Sequence, residues 1–240
     1  MRTALVTGAE RGLGLETARA LLRLGFTVEL GVFDVVEGER ARRELAEFEY
    51  VGTVPLDVRD DRSIEKAFDE IGERHGVLDV LVNNAGVTGM ASAAEVTRAQ
   101  LEEIFHVNAF GPVLVTKAAL PLLRRSASAR IVNVSSGGGS LARASAFAGS
   151  GLPALPILAY ATSKSALNMI TVQTDLMLRG DPQLRHIKVN AVSPGTSATH
   201  VSGFQGQSPA EGARIIVQLA TIEDDGPSGG FFELDGPVPW

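Results

Sequence analysis

Tyr160 and Lys164 stand four positions apart in a stretch, Tyr160 to Leu178, whose apolar residues recur at helical spacing. A helix there puts both side chains on one face. A phenol titrates near pH 10, too high to exchange protons readily at neutral pH. An ammonium about 4 Å away, at an effective dielectric of ~20, would favour the phenolate by about 4 kcal/mol, roughly three pKa units. A general acid at neutral pH needs a shift of that size. Taken alone, a Tyr and a Lys at this spacing more often sit on a solvated helix face, so the reading depends on what converges on them.

Two further features do converge. Ser135 and Ser136 follow the apolar run Arg130 to Val134. In an open parallel sheet such strand ends face the ligand crevice, where a hydroxyl can donate to an oxygen gathering negative charge. The plain alternative is a polar turn. Asn108 lies among Val107, Ala109 and Phe110 in a long helical pattern, Thr97 to Arg125. A buried Asn must be hydrogen-bonded, and a self-satisfied helix kink would account for it as well.

A third feature opens the chain. Thr7-Gly8-Ala9-Glu10-Arg11-Gly12-Leu13-Gly14 joins the first strand pattern to the first helix pattern. Glycines at 8, 12 and 14 let the backbone turn tightly and approach a pyrophosphate. The free N–H groups of the first helical turn favour negative charge. Three spaced glycines are weak evidence alone, but here they sit in the strand–turn–helix context that the motif requires.

The elements that must position these groups alternate along all 240 residues. Strand patterns fall at 4–6, 27–32, 50–56, 78–82, 130–134, 187–192 and 230–234. Helical patterns fall at 13–24 (closed by Gly25), 37–48, 63–75, 97–125, 160–178 and 209–220. This predicts an α/β fold: one doubly wound, seven-stranded parallel sheet with helices on both faces, a single Rossmann-type domain over 1–240. Residues 137–159 begin with a run rich in Gly, Ala and Ser and read as an inserted substrate-side loop with room for a short helix.

Composition limits the rest. Apolar residues make up 45% and charged residues 21%, enough for a packed core, and the net charge of −6 opposes nucleic-acid or polybasic membrane contacts. There are no cysteines, and the four histidines show no paired metal-ligand spacing, so no metal is expected. Without an opening apolar stretch of signal-peptide length, the cytoplasm is the expected address.

The order of these motifs resembles the short-chain dehydrogenase/reductase family, in its carbonyl-reductase-like branch. The likeness runs almost end to end: Thr7 to Gly14, Asp57, Asn83-Asn84-Ala85-Gly86, Asn108, Ser135-Ser136, Tyr160 with Lys164, and Pro194-Gly195. It implies a catalytic set of Asn108, Ser136, Tyr160 and Lys164. Tyr160 would protonate the carbonyl oxygen that Ser136 orients. Lys164 would lower the phenol pKa and hold the nicotinamide ribose, and Asn108 would hold a water in a proton relay.

For the cofactor the resemblance implies Gly8, Arg11, Gly12, Leu13, Gly14, Phe33, Asp57, Val58, Asn84, Ala85, Gly86, Tyr160, Lys164, Pro194, Gly195 and Thr199. Relatives preferring NADPH often carry a basic residue at the Phe33 position and another before the second glycine. Arg11 supplies only the second, and Asp34 becomes an NADH-type acid if the alignment shifts by one residue. NADPH is favoured over NADH. The 24 positions from Ser136 to Tyr160 exceed the spacing of many short members and resemble carbonyl reductases. Met90, Phe147, Leu152 and Phe204, with Leu155 and Pro156, could wall an apolar substrate pocket, though each could equally pack on the protein.

The expected activity is reduction of a ketone or aldehyde. The alternatives are an alcohol or hydroxysteroid dehydrogenase working in the oxidising direction and, remotely, a non-catalytic cofactor-sensing regulator. A homo-oligomer, dimer or tetramer, is also implied.

Overall fold

The computed structural model describes residues 1–148, 155–197 and 205–240. In chain order the elements are β1 (Thr3–Thr7), α1 (Gly12–Arg23), β2 (Thr27–Val32), α2 (Val35–Glu44), β3 (Val51–Pro55), α3 (Asp61–His75) and β4 (Val80–Asn83). Then come α4 (Arg98–Phe105), a π-helical turn (His106–Phe110), α5 (Gly111–Leu123), β5 (Arg130–Val134) and a 3-10 turn (Gly137–Gly139). The chain continues with α6 (Leu141–Ala148), α7 (Leu158–Gly180), β6 (Lys188–Val192), α8 (Pro209–Ala220), β7 (Phe231–Glu233) and β8 (Gly236–Pro237).

The strands form one sheet in the order β3-β2-β1-β4-β5-β6-β7-β8. Every pairing is parallel except β7 with β8, a two-residue antiparallel return that the sequence patterns did not indicate. The expected seven parallel strands are therefore present with an eighth added at one edge. Strand order reverses between β1 and β4, and in such sheets the ligand crevice opens at that point, beyond the carboxyl ends of the strands.

Burial on both faces explains the unbroken apolar runs of the strands. Ala4 and Val6 of β1 face a core shared with α1 and α8, whereas Leu5 faces one built with α3 and α5. Val80 and Val82 alternate with Leu81 in the same way.

Local signals set the helix ends. Gly25, at φ +82°, closes α1, with Phe26 N–H bonded to the Leu21 carbonyl and Gly25 N–H to that of Leu22, the paired bonds of a Schellman motif. A reciprocal capping box between Ser208 and Glu211 starts α8.

One expectation needs correction. The pattern 97–125 is not one regular helix, because the π turn interrupts it at the position of Asn108. The segment 137–159 has the short helix it had room for, α6, and adds the 3-10 turn and the start of α7. Helix α6 buries none of its residues, and eight residues alone are too few to hold a helix in water. Tertiary contacts hold it instead.

A buried polar chain crosses the sheet centre. Asn83 Nδ2 donates to Asn133 Oδ1 at 2.9 Å and to Thr116 Oγ1 at 3.1 Å, and Asn133 Nδ2 donates to Thr171 Oγ1 at 2.9 Å. Truncating its middle member orphans buried partners, so Asn133→Ala is expected to lower unfolding stability by about 1–3 kcal/mol in urea titration.

Candidate active site

The glycine-rich turn and the segment after β4 are built as one unit. The Thr7 hydroxyl accepts from Asn84 N–H and Ala85 N–H, each at 3.0 Å. Asn84 Nδ2 donates to the carbonyls of Thr7 (2.8 Å) and Gly8 (3.0 Å). Gly8 and Gly12 lie at φ +63° and +59°, where an L side chain is strained. At Gly14 a Cβ would lie 2.3 Å from the Gly8 carbonyl oxygen. No side-chain cap covers the first turn of α1, and no acid stands in that turn, so its N–H groups remain available to an anion. Leu13 is half-buried and packs against the α1–α8 core. These features fit a dinucleotide pyrophosphate.

Just past the carboxyl end of β2, Phe33 is 61% exposed, and the Arg59 guanidinium lies 4.9 Å from its ring centroid. Arg59 Nε and Nη2 also bond the two Asp57 carboxylate oxygens, at 2.9 and 2.8 Å. This pair holds the Asp57 carboxyl below its ordinary range. Asp34 caps α2 through the N–H groups of Val36 and Glu37. Val58 is buried against Gly111. Arg11 is exposed and has no ion pair among the described residues. The Glu10 carboxyl, within the glycine turn, is pushed up by burial.

The catalytic candidates meet at the carboxyl end of β5. Ser136 and Tyr160 are joined by a side-chain hydrogen bond, and the Ser136 hydroxyl accepts from Gly138 N–H at 3.2 Å. Lys164, 4% exposed, donates from Nζ to the Val134 carbonyl at 2.8 Å and lies 5.8 Å from the Tyr160 ring centroid. Fully buried in the π turn, Asn108 exchanges bonds with the Val87 backbone (2.9 and 2.8 Å) and donates to Ser163 Oγ at 3.0 Å. Gly86 brings this group to the cofactor turn: a Cβ there would lie 3.4 Å from Asn108 Oδ1 and 3.5 Å from Lys164 Nζ.

The electrostatics differ from expectation. The phenol was expected to be acidified by Lys164, yet burial pushes Tyr160 up, and the Ser136 hydrogen bond only partly pulls it back. Burial also pushes the Lys164 ammonium down to about 8. The physical reason is shared. Both groups leave water together, and the ammonium bonds a carbonyl of β5.

Pro194 is buried and Gly195 turns at φ +71°, with Gln207 Nε2 donating to the Pro194 carbonyl. Thr199, Leu152 and Phe204 lie outside the described residues. Met90 is 64% exposed and Phe147 43%. Ala91 N–H donates to the Pro156 carbonyl at 2.6 Å, which brings the Met90 segment beside the chain entering α7. Ile157 was not singled out in the sequence, though a Cβ on Gly138 would lie 3.6 Å from its Cδ1 and 3.6 Å from Ser136 Oγ. Arg59 was missed too, since only the folded chain brings it to Phe33. Among the described residues no group of three acids or histidines could hold a metal.

The short chain dehydrogenase family model matches residues 2–209. The short-chain dehydrogenase anuI of Penicillium roqueforti is 35% identical, over 90% of this chain and 87% of its own. Salutaridine reductase of Papaver bracteatum is 31% identical, over 97% and 94%. An NADPH-bound carbonyl reductase from chicken fatty liver superposes with a TM-score of 0.88 at 28% identity, covering 100% of this chain and 99% of that one.

The depressed Lys164 ammonium has a thermodynamic sign. Between about pH 8 and the ordinary lysine range the unfolded chain holds a proton that the folded chain lacks, so this site's contribution to stability rises with pH. Lys164→Met is expected to raise the melting temperature relative to wild type most at pH 7. The difference should shrink towards pH 10, as read by thermal scans across that interval.

Proposed function

The chain belongs to the short-chain dehydrogenase/reductase family and is an NAD(P)-dependent oxidoreductase, and from that premise we propose that it reduces the carbonyl of a ketone or aldehyde. The observation that carries this reading is the Ser136–Tyr160 hydrogen bond set beside a buried Lys164. The cofactor, when bound, supplies the hydride.

The chain's own residues do the rest. Ser136 donates to the carbonyl oxygen and orients it. Tyr160 transfers its phenolic proton to that oxygen as charge develops. Burial raises the phenol, so it holds its proton at neutral pH until charge develops on the substrate oxygen. The oxidising direction would use the same residues in reverse, starting from the phenolate. Lys164 stands next to the phenol as a second proton holder. Asn108, fixed by Val87 and Ser163, places an amide at the foot of that path.

Exposed Met90, Phe147 and Leu155 support an apolar substrate. NADPH is the favoured cofactor. Arg11 in the glycine turn and Arg59 over the Phe33 ring would offer cations to a 2′-phosphate, while Asp34 is engaged in capping α2. The relative whose structure carries NADPH supports the same choice. No helix among the described residues is long and apolar enough to cross a membrane, and a cysteine-free chain suits the cytoplasm. Exposed Met169, Leu176 and Met177 share one face of α7 at helical spacing and support a homo-oligomer packed through that helix.

Tyr160→Phe is expected to abolish ketone-dependent oxidation of the reduced cofactor while leaving its dissociation constant nearly unchanged in fluorescence titration. Loss of binding together with turnover would make the residue structural. Arg11→Ala is expected to weaken NADPH about tenfold and leave NADH nearly untouched, because a guanidinium–phosphate contact is charge-assisted. Equal losses for both cofactors, measured by titration, would remove Arg11 from 2′-phosphate recognition.

A further inference from the structure

Ser136 sits at the start of a turn that a second set of residues holds from the far side. The amide of Gly137 donates to Ser193 Oγ at 3.0 Å. Ser193 is buried at the end of β6, and its own N–H is bonded to the Phe232 carbonyl of β7 at 2.8 Å. The next residue of β7, Glu233, shares a side-chain hydrogen bond with Ser193. Its carboxylate also takes the Arg143 fork, Nη1 to Oε1 at 2.6 Å and Nη2 to Oε2 at 2.8 Å. Arg143 belongs to α6, and a Cβ on Gly137 would come within 3.1 Å of its Nη1.

The same helix is held at its start by the end of the chain. Ser140 caps α6 by accepting from Arg143 N–H at 3.1 Å and donates to the Pro239 carbonyl at 2.6 Å. Ala142 N–H donates to the Trp240 carbonyl at 2.8 Å, and the Trp240 ring stacks on Phe231 of β7, centroids 5.6 Å apart at 18°. Thus β7, the C-terminal residues and α6 form one closed circuit around the Ser136 turn.

We propose that Glu233 and Arg143 are positioning residues: their bidentate pair, acting through Ser193 and the Gly137 amide, fixes the Ser136 hydroxyl opposite Tyr160. This deepens the reductase reading and rests on it for the role of Ser136. The pair is partly exposed, with side chains 28% and 44% accessible. Such pairs add little to global stability. Two parallel N–H to oxygen bonds do set angles, and angle is what a turn one residue away can transmit.

The chain's two tyrosines, Tyr50 and Tyr160, make the test direct. Tyr50 is exposed at the start of β3, away from the crevice. In a Tyr50→Phe background, tyrosinate absorbance reports Tyr160 alone. The phenolate is held down by its Ser136 hydrogen bond, so displacing Ser136 moves the midpoint up. Glu233→Ala and Arg143→Ala are each expected to raise that midpoint and lower kcat about tenfold. Cofactor dissociation constants should stay within about twofold. Arg143→Lys, keeping the charge without the fork, falls between, and the isosteric Glu233→Gln serves if Glu233→Ala does not fold. Unmoved midpoints in the alanine variants overturn the proposal, whatever happens to melting temperature. A raised midpoint in variants of a protein that turns over no ketone keeps the positioning role and sinks the reductase reading instead.

Discussion

Burying the Lys164 ammonium takes a full charge out of water, and the architecture around β5 is arranged to compensate. The Val134 carbonyl, freed by the end of the strand, accepts one of its protons. Gly139 passes so close to the Lys164 backbone that an added Cβ would lie 2.8 Å from its carbonyl carbon. Ser165 and Asn168, on the same helix, both donate to the Gly139 carbonyl, at 2.9 and 3.1 Å. Helix, strand end and turn are thereby locked around one cation. A less tightly held lysine would swing to solvent, where water hydrates its charge.

The π turn serves the same pocket. One extra residue per turn re-aims a helix face locally, and such turns recur at functional sites. Here it points Asn108 at Val87 and Ser163 rather than along the regular helix ladder. Since Ser163 precedes Lys164 and also donates to the Tyr160 carbonyl at 2.7 Å, the irregular helix and α7 share one hydrogen-bonded seam.

Legibility from sequence tracked how local each signal was. Thr27–Val32 and Arg130–Val134 coincide with their strands because apolar runs bounded by polar residues leave little room for slippage. Pro209–Ala220 coincides because Ser208, Pro209 and Glu211 mark its start. Tyr160 with Lys164 and the glycine turn stand out by their spacing, and the family resemblance selects Ser136 over Ser135; the structure joins Ser136 to Tyr160 and buries Lys164 beside them. The π turn was invisible, since Asn108 is drawn out by partners far along the chain. Helix α6 could be read only as room for a short helix, because its residues bury nothing and leave no apolar periodicity. Arg59, Ile157, Ser193 and Glu233 gave no sign either; each takes its place through contacts that only folding creates. The direction of the Tyr160 shift departs from expectation for a related reason, because spacing reports a neighbouring cation but not the water that both groups lose.

The short return strand β8 has a consequence for how copies of this molecule can meet. The sheet ends on one side at β3, which carries Pro55, and on the other at β8, which carries Pro237. A proline offers no amide proton, so each rim is a poor template for a strand from another molecule. Each border thus lacks one donor of its backbone ladder, which favours assembly through side chains on the flanks.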